Sequence, residues 1–195
     1  MLNETLPKIY NDIFNTEYFQ DIKRYFSGYK FPTNQNPDYY GSYRAHSFDG
    51  DEVLLEAQDR ITKKAQEIFK NDKIIPSYST YIRYTGKHPS VKMHIDNAPS
   101  TYLIDVCLGY RTQWPIYVEN QVFNIEENSG LAFYANEQKH GRPDFSDPDN
   151  NLVEMIMFGF TNPDHIWWKI KEKERAGIVK RFLAQDPSYN KKIDF

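Results

Sequence analysis

The spacing of apolar residues changes at Pro76, and that change constrains the fold more than any other feature of the chain. Upstream, Phe14, Tyr18, Phe19, Ile22, Tyr25 and Phe26 recur at intervals of three and four, which predicts an amphipathic helix over residues 11–28. A second run, Leu54, Ala57, Ile61, Ala65, Ile68 and Phe69, predicts a helix over 51–71 with Asp49 or Asp51 as its N-cap. Downstream of Pro76 the apolar residues come in short runs rich in Tyr, Ile, Val and Phe, broken by Gly, Pro and Asn. Such runs read as strands, expected at 77–85, 90–96, 101–108, 114–118, 121–125, 130–134 and 152–160. A last helical pattern over 169–184 carries Ile170, Ile178, Val179, Phe182 and Leu183, and Pro187 stops it. The expected fold is mainly β with flanking helices, its centre a sandwich or barrel.

The 195 residues fit one domain, with 1–75 as helical support and a loop, 76–168 as the β core and 169–195 as a helix and tail. No repeat or low-complexity tract divides them. The segment 30–50, rich in Pro, Asn, Gly and Tyr, shows no period, and a connection that long is a candidate lid. Within it, Tyr39 to His46 combines aromatic surface with Arg44, suited to clamping a substrate carboxylate or phosphate, or simply to packing as a surface loop.

With 39% hydrophobic and 16% aromatic residues the chain can build a core, which excludes a disordered protein. A net charge of -3 and a pI near 6.0 supply no basic field for nucleic acid. The longest apolar stretches, such as Trp114 to Val118 and Met155 to Phe158, fall far below the ~20 residues that cross a bilayer, so no membrane span is expected. The single cysteine, Cys107, cannot form an intrachain disulfide and is expected to be buried and inert. Met1-Leu2-Asn3-Glu4 shows no basic segment leading into an apolar one, and a cytoplasmic location is the expectation.

Chemistry concentrates in Lys92-Met93-His94-Ile95-Asp96. Side chains alternate across a strand, so His94 and Asp96 share a face. His140 follows the expected strand 130–134 and supplies a third ligand type. Two imidazoles and one carboxylate with positions left open form the facial triad of non-haem Fe(II) oxygenases. A His-x-Asp triplet arises by chance about 0.4 times in a chain of this composition, so its weight comes from its setting among short strands.

The stretch from Ser79 to Phe160 resembles the double-stranded β-helix (jelly-roll) core of the Fe(II)/2-oxoglutarate-dependent dioxygenases, and is similar to their prolyl-hydroxylase-like branch. Arg83-Tyr84-Thr85-Gly86 resembles the strand before the His-x-Asp motif of that branch, His94-x-Asp96 matches the motif, and His140 matches the distal metal histidine. Leu108-Gly109 followed by Trp114-Pro115-Ile116-Tyr117-Val118 resembles an element found between the ligands in a group of small dioxygenases. The resemblance implies Fe(II) held by His94, Asp96 and His140, with 2-oxoglutarate and O₂ as co-substrates, succinate and CO₂ as products, and hydroxylation of an unactivated C–H bond. The substrate would be an amino-acid-like small molecule or a peptide side chain. Asp96 keeps the carboxylate that related halogenases lack, which favours hydroxylation or another oxidation over halogenation.

In one respect the sequence departs from the pattern. The family carries an Arg or Lys roughly ten residues after the distal histidine, where 149–154 read Asp, Asn, Asn, Leu, Val and Glu. Arg142, two residues after His140, is the first substitute for pairing with the far carboxylate of 2-oxoglutarate, Arg83 is the second, and Tyr84 is placed to hydrogen-bond the same ligand. The missing cation keeps open a second function, a non-catalytic or cupin-like metal-binding protein on the same fold that does not use 2-oxoglutarate. His88 and His165 read as turn residues, and Trp167 and Trp168 as packing for the last helix.

Overall fold

The computed structural model describes residues 6–31, 37, 41–85, 89–96, 100–145 and 151–165. The element expected over 169–184, with Trp167 and Trp168, lies outside the described residues, as does His88. Among the described residues no helix is long and apolar enough to cross a membrane.

Both helices expected upstream of Pro76 are present. Helix α1 runs Thr16–Ser27, later than the apolar pattern alone proposes, because Asn15 is its N-cap and accepts a hydrogen bond from the Tyr18 amide at 2.9 Å. Helix α2 runs Glu52–Phe69, and Asp51 resolves the choice of cap by accepting from the Leu54 amide at 3.0 Å. Each cap satisfies an amide that the first turn leaves unpaired, worth about 1 kcal/mol.

Ten strands follow the alternation of the chain: β1 (Lys8–Tyr10), β2 (Ser42–His46), β3 (Ile75–Tyr84), β4 (Val91–His94), β5 (Tyr102–Tyr110), β6 (Ile116–Val118), β7 (Gln121–Phe123), β8 (Gly130–Phe133), β9 (His140–Arg142) and β10 (Val153–Thr161). They form a six-stranded antiparallel sheet ordered β1-β8-β5-β10-β3-β2 and a four-stranded one ordered β4-β9-β6-β7. Strands adjacent in sequence sit mostly in different sheets, the arrangement of a double-stranded β-helix.

The larger sheet is covered on both faces. On one, Phe19, Ile22 and Phe26 of α1 and Leu54, Ala57, Ile61 and Ala65 of α2 pack against Tyr81, Ile104, Val106, Ile156 and Phe158. The opposite side chains of the same strands, Ile82, Leu103, Cys107, Leu131, Phe133 and Met155, meet Ile116 and Val118 of the smaller sheet. The pattern that buries both faces reads as a nearly continuous apolar run in β5.

The segment 30–50 divides differently from the expectation of a lid. Its later part, Ser42–His46, is an edge strand paired with β3, and a 3-10 turn over Ser47–Asp49 leads straight into α2. Arg44 is therefore held in a sheet, its register partner Ile82, instead of riding on a loop.

Candidate metal centre

Strand β4 pairs with β9 so that His94 stands opposite His140, and the two imidazole centroids are 4.4 Å apart. Gly141 makes that approach possible. A Cβ there would lie 2.5 Å from the Val91 carbonyl oxygen and 3.0 Å from the Lys92 carbonyl carbon, both backbone atoms. Asp96 lies two residues beyond His94, its amide donating to the Ala135 carbonyl at 2.8 Å, which ties the turn after β4 to the chain leading into β9. Its Oδ1 comes within 3.2 Å of His94 Nε2 and 3.7 Å of His140 Nε2.

The outer ring nitrogens show how the imidazoles are oriented. His94 Nδ1 lies 2.8 Å from the Lys92 carbonyl oxygen, and His140 Nδ1 lies 3.0 Å from that of Gln138. A carbonyl only accepts, so each Nδ1 carries a proton and leaves Nε2 on the inward side, where it can give a lone pair to a metal that displaces any proton shared with Asp96. Burial pulls the pKa of His140 down, with Asp96 opposing. In His94 burial pulls the same way, but the hydrogen bonds to Asp96 and the Lys92 carbonyl outweigh it and the pKa is raised. Ligand atoms of His94, Asp96 and His140 all lie within 4.8 Å of one another. Two neutral nitrogens and one anionic oxygen suit a divalent first-row metal, with coordination positions left for other ligands.

Arg142 shares the inward face of β9 with His140 and is 6% exposed. Its guanidinium donates through Nη1 to the Trp114 carbonyl and through Nη2 to Met155 Sδ at 2.9 Å, and it lies 5.1 Å from the Trp114 ring centroid. Among the described residues no carboxylate comes within ion-pair distance of it. Burial lowers its pKa, opposed by Tyr84, Asp105 and Cys107. A buried cation with no carboxylate in direct contact is costly, so the site is suited to an anionic ligand. Tyr84 is buried beside it, its ring meeting Trp114 edge-on at 5.0 Å.

Arg83 does not join this group. It lies on the helix-covered face of β3, donating from Nε to Glu154 Oε1 at 2.9 Å and from Nη2 to the Phe26 carbonyl at 2.7 Å. Strand alternation sends it away from Tyr84, which corrects its placement as the second candidate for the far carboxylate. Cys107 is buried as expected, and burial pushes its thiol up to about 12.

Two residues of the site escape motif reading. Tyr78 lies across Gly159, where a Cβ would fall 2.5 Å from the ring, and its hydroxyl is 2.6 Å from Ser100 Oγ. Gln58 of α2 fastens this crossing by donating to the carbonyls of Tyr78 and Gly159 at 2.6 and 2.8 Å. Asp105 faces inward from the middle of β5, and a lone carboxylate in that apolar run is the signal that could have found it.

No protein-family model and no curated protein matches the sequence. The fold, however, is similar to solved structures. HygX from Streptomyces hygroscopicus, with nickel and 2-oxoglutarate bound, superposes at a TM-score of 0.60 and 10% identity over 80% of this chain and 82% of its own. The viral collagen prolyl hydroxylase vCPH from Paramecium Bursaria Chlorella virus-1, in a 2OG complex, gives 0.55 and 10% over 81% and 97%. The non-heme alpha ketoglutarate dependent epimerase SnoN from nogalamycin biosynthesis gives 0.61 and 7% over 79% and 76%. At these identities the likeness establishes the double-stranded β-helix fold.

Proposed function

We propose that the protein is a non-haem Fe(II)- and 2-oxoglutarate-dependent oxygenase that hydroxylates an unactivated C–H bond of an amino-acid-like small molecule or a peptide side chain. The observation that carries this reading is the pairing of the His94, Asp96 and His140 cluster with a buried Arg142 on the same face of β9. The fold shared with HygX and vCPH, whose structures hold 2-oxoglutarate, supports it.

His94, Asp96 and His140 would hold the iron, and Arg142 and Tyr84 would receive the far carboxylate of 2-oxoglutarate. Bound iron supplies the O₂ activation and oxidising power that no side chain has. The chain's own part is to orient and to exclude water. The carbonyls of Lys92 and Gln138 fix both imidazole tautomers, and Tyr78 with Ser100 closes the wall beside Asp96. Trp114 holds the Arg142 guanidinium through its carbonyl and its ring.

The absence of a cation in the sequence over 149–154 favours a second reading, a metal-binding protein that does not use 2-oxoglutarate. Anaerobic titration with Fe(II) and then 2-oxoglutarate separates the two. The oxygenase develops the weak visible charge-transfer band of chelated iron, and Arg142→Ala loses it at the same co-substrate concentration. Stoichiometric iron binding with no band in the wild type would leave the second reading standing.

A further inference from the structure

Strand β5 is apolar from Leu103 to Leu108 except at Asp105. Its register partners are Met157 of β10 and Leu131 of β8, both facing the smaller sheet, so the carboxyl faces the sheet that carries His94, His140 and Arg142. Asp105 is 5% exposed, and its Oδ1 has no hydrogen-bond partner. Among the described residues no ion pair joins it to His94 or His140. The groups facing it are Arg142 from β9, His94 and Asp96 from β4 and the turn beyond, Tyr78 and Thr80 from β3, and Cys107 on its own strand.

A carboxyl in this position creates a difficulty for an anionic ligand. 2-Oxoglutarate reaching from the metal ligands toward Arg142 brings two carboxylates into a dry pocket that already holds one. Carboxylates crowded together at low dielectric cannot all stay ionised, and one proton is retained among them. Free carboxylic acids lose their protons near pH 4, so above about pH 6 that proton does not arrive with the ligand. Burial pushes the pKa of Asp105 up to about 7, Arg142 opposing and Asp96 reinforcing.

Resting on the oxygenase reading above, we propose that Asp105 is a co-substrate-binding residue: with 2-oxoglutarate bound it is a neutral acid whose O–H donates to a carboxylate of that ligand. Its unpartnered oxygen then becomes part of the binding site. Because the bound form keeps the proton and the free form can lose it, affinity is full at low pH and falls as pH rises past the pKa of Asp105 in the metal-loaded, ligand-free protein. A metal dication lowers that pKa and moves the fall to lower pH. Other pocket groups do not imitate the effect: Cys107 is pushed up to about 12, burial keeps Tyr78 protonated, and metal occupies His94 and His140.

The test is calorimetry of 2-oxoglutarate binding to anaerobic Fe(II)-loaded protein from pH 6 to 9, in buffers of different ionisation enthalpy. The wild type takes up close to one proton at the alkaline end, where Kd rises about tenfold per pH unit. Asp105→Asn, which still donates but does not ionise, binds with no proton uptake and a flat Kd, while its iron stoichiometry is unchanged. Asp105→Thr serves the same purpose should the amide fail to fold. A flat wild-type Kd without proton uptake overturns the proposal, as does a wild-type slope in either variant. If iron binds but 2-oxoglutarate binds at no pH, the oxygenase reading itself has failed and this inference falls with it.

Discussion

Arg83 and Arg142 grip neighbouring residues of β10 from opposite sides of one sheet, Glu154 on the helix face and Met155 on the metal face. Arg83 has a carboxylate, the Phe26 carbonyl and the Phe31 ring around it, and the same Glu154 oxygen also accepts the Tyr81 hydroxyl at 2.5 Å. Burial and that hydrogen bond push the Tyr81 pKa up, so the phenol stays protonated and the cluster is internally satisfied. Arg142 has a carbonyl, a thioether and a ring, none of which neutralises its charge. Two residues of the same type thus do different work. The first closes a structural network, and the second leaves a charge for something that is not part of the fold.

Substituting each arginine by methionine breaks the comparison most directly. Arg142→Met is expected to lower 2-oxoglutarate affinity about 100-fold, the value of a charge-assisted bond to a desolvated carboxylate, with stability changed by about 1 kcal/mol or less in either direction. Arg83→Met strands Glu154 and should cost about 2–3 kcal/mol, read as a lower urea midpoint at unchanged m, with co-substrate affinity within about twofold of wild type. Equal destabilisation by both variants with affinity intact would make Arg142 a strut like Arg83.

The same alternation decides what could be read from sequence. The period change at Pro76 placed α1, α2 and most strands because apolar spacing is a local property. The His94-x-Asp96 spacing was legible for the same reason, and so was Arg142 beside His140. Strand β2 was missed because an edge strand in a Tyr- and Asn-rich segment needs no apolar run, only a partner, and its partner β3 lies some thirty residues on. Strand β9 escapes the pattern because His140-Gly141-Arg142 is short and contains no β-branched or apolar residue. Tyr78 becomes visible only when Gly159 lies under it, eighty residues away in sequence, since no local pattern encodes contact across a sheet.

Glycines sharpen the contrast at a smaller scale. Gly130 belongs to the helix side, where a Cβ would meet Ile104 Cγ2 at 2.9 Å and Ile13 Cδ1 at 3.0 Å, side chains that can shift. Gly130→Ala should cost about 1–3 kcal/mol of stability and leave metal affinity unchanged. Gly141→Ala meets backbone, so β9 has to move away from β4 and His140 away from His94. Iron affinity should fall about tenfold, because misplaced ligands weaken a metal site even when all remain present. Anaerobic Fe(II) titration of both variants reads the difference, and intact affinity in Gly141→Ala would show that the two strands adjust without cost to the centre.

The smallest expected effect concerns His46, the buried polar residue at the outer edge of the metal face. Its Nδ1 lies 2.9 Å from Thr80 Oγ1 and its ring stacks on Phe48 at 4.6 Å. Burial, helped by Arg44, pulls its pKa down to about 3. The folded protein therefore keeps His46 neutral while the unfolded chain protonates it near pH 6.5, so between these values unfolding takes up a proton. Stability contributed by the neutral histidine is full above pH 6.5 and is lost as pH falls, by about 1 kcal/mol between pH 6.5 and 5.5. Asp105, whose pKa burial raises, gains stability over the same interval, so the readout is signed: on going from pH 6.5 to 5.5 the urea midpoint should move further downward in the wild type than in His46→Gln, whose amide does not titrate. An equal movement in the variant would show that the neutral His46 at the sheet edge contributes none of the acid sensitivity.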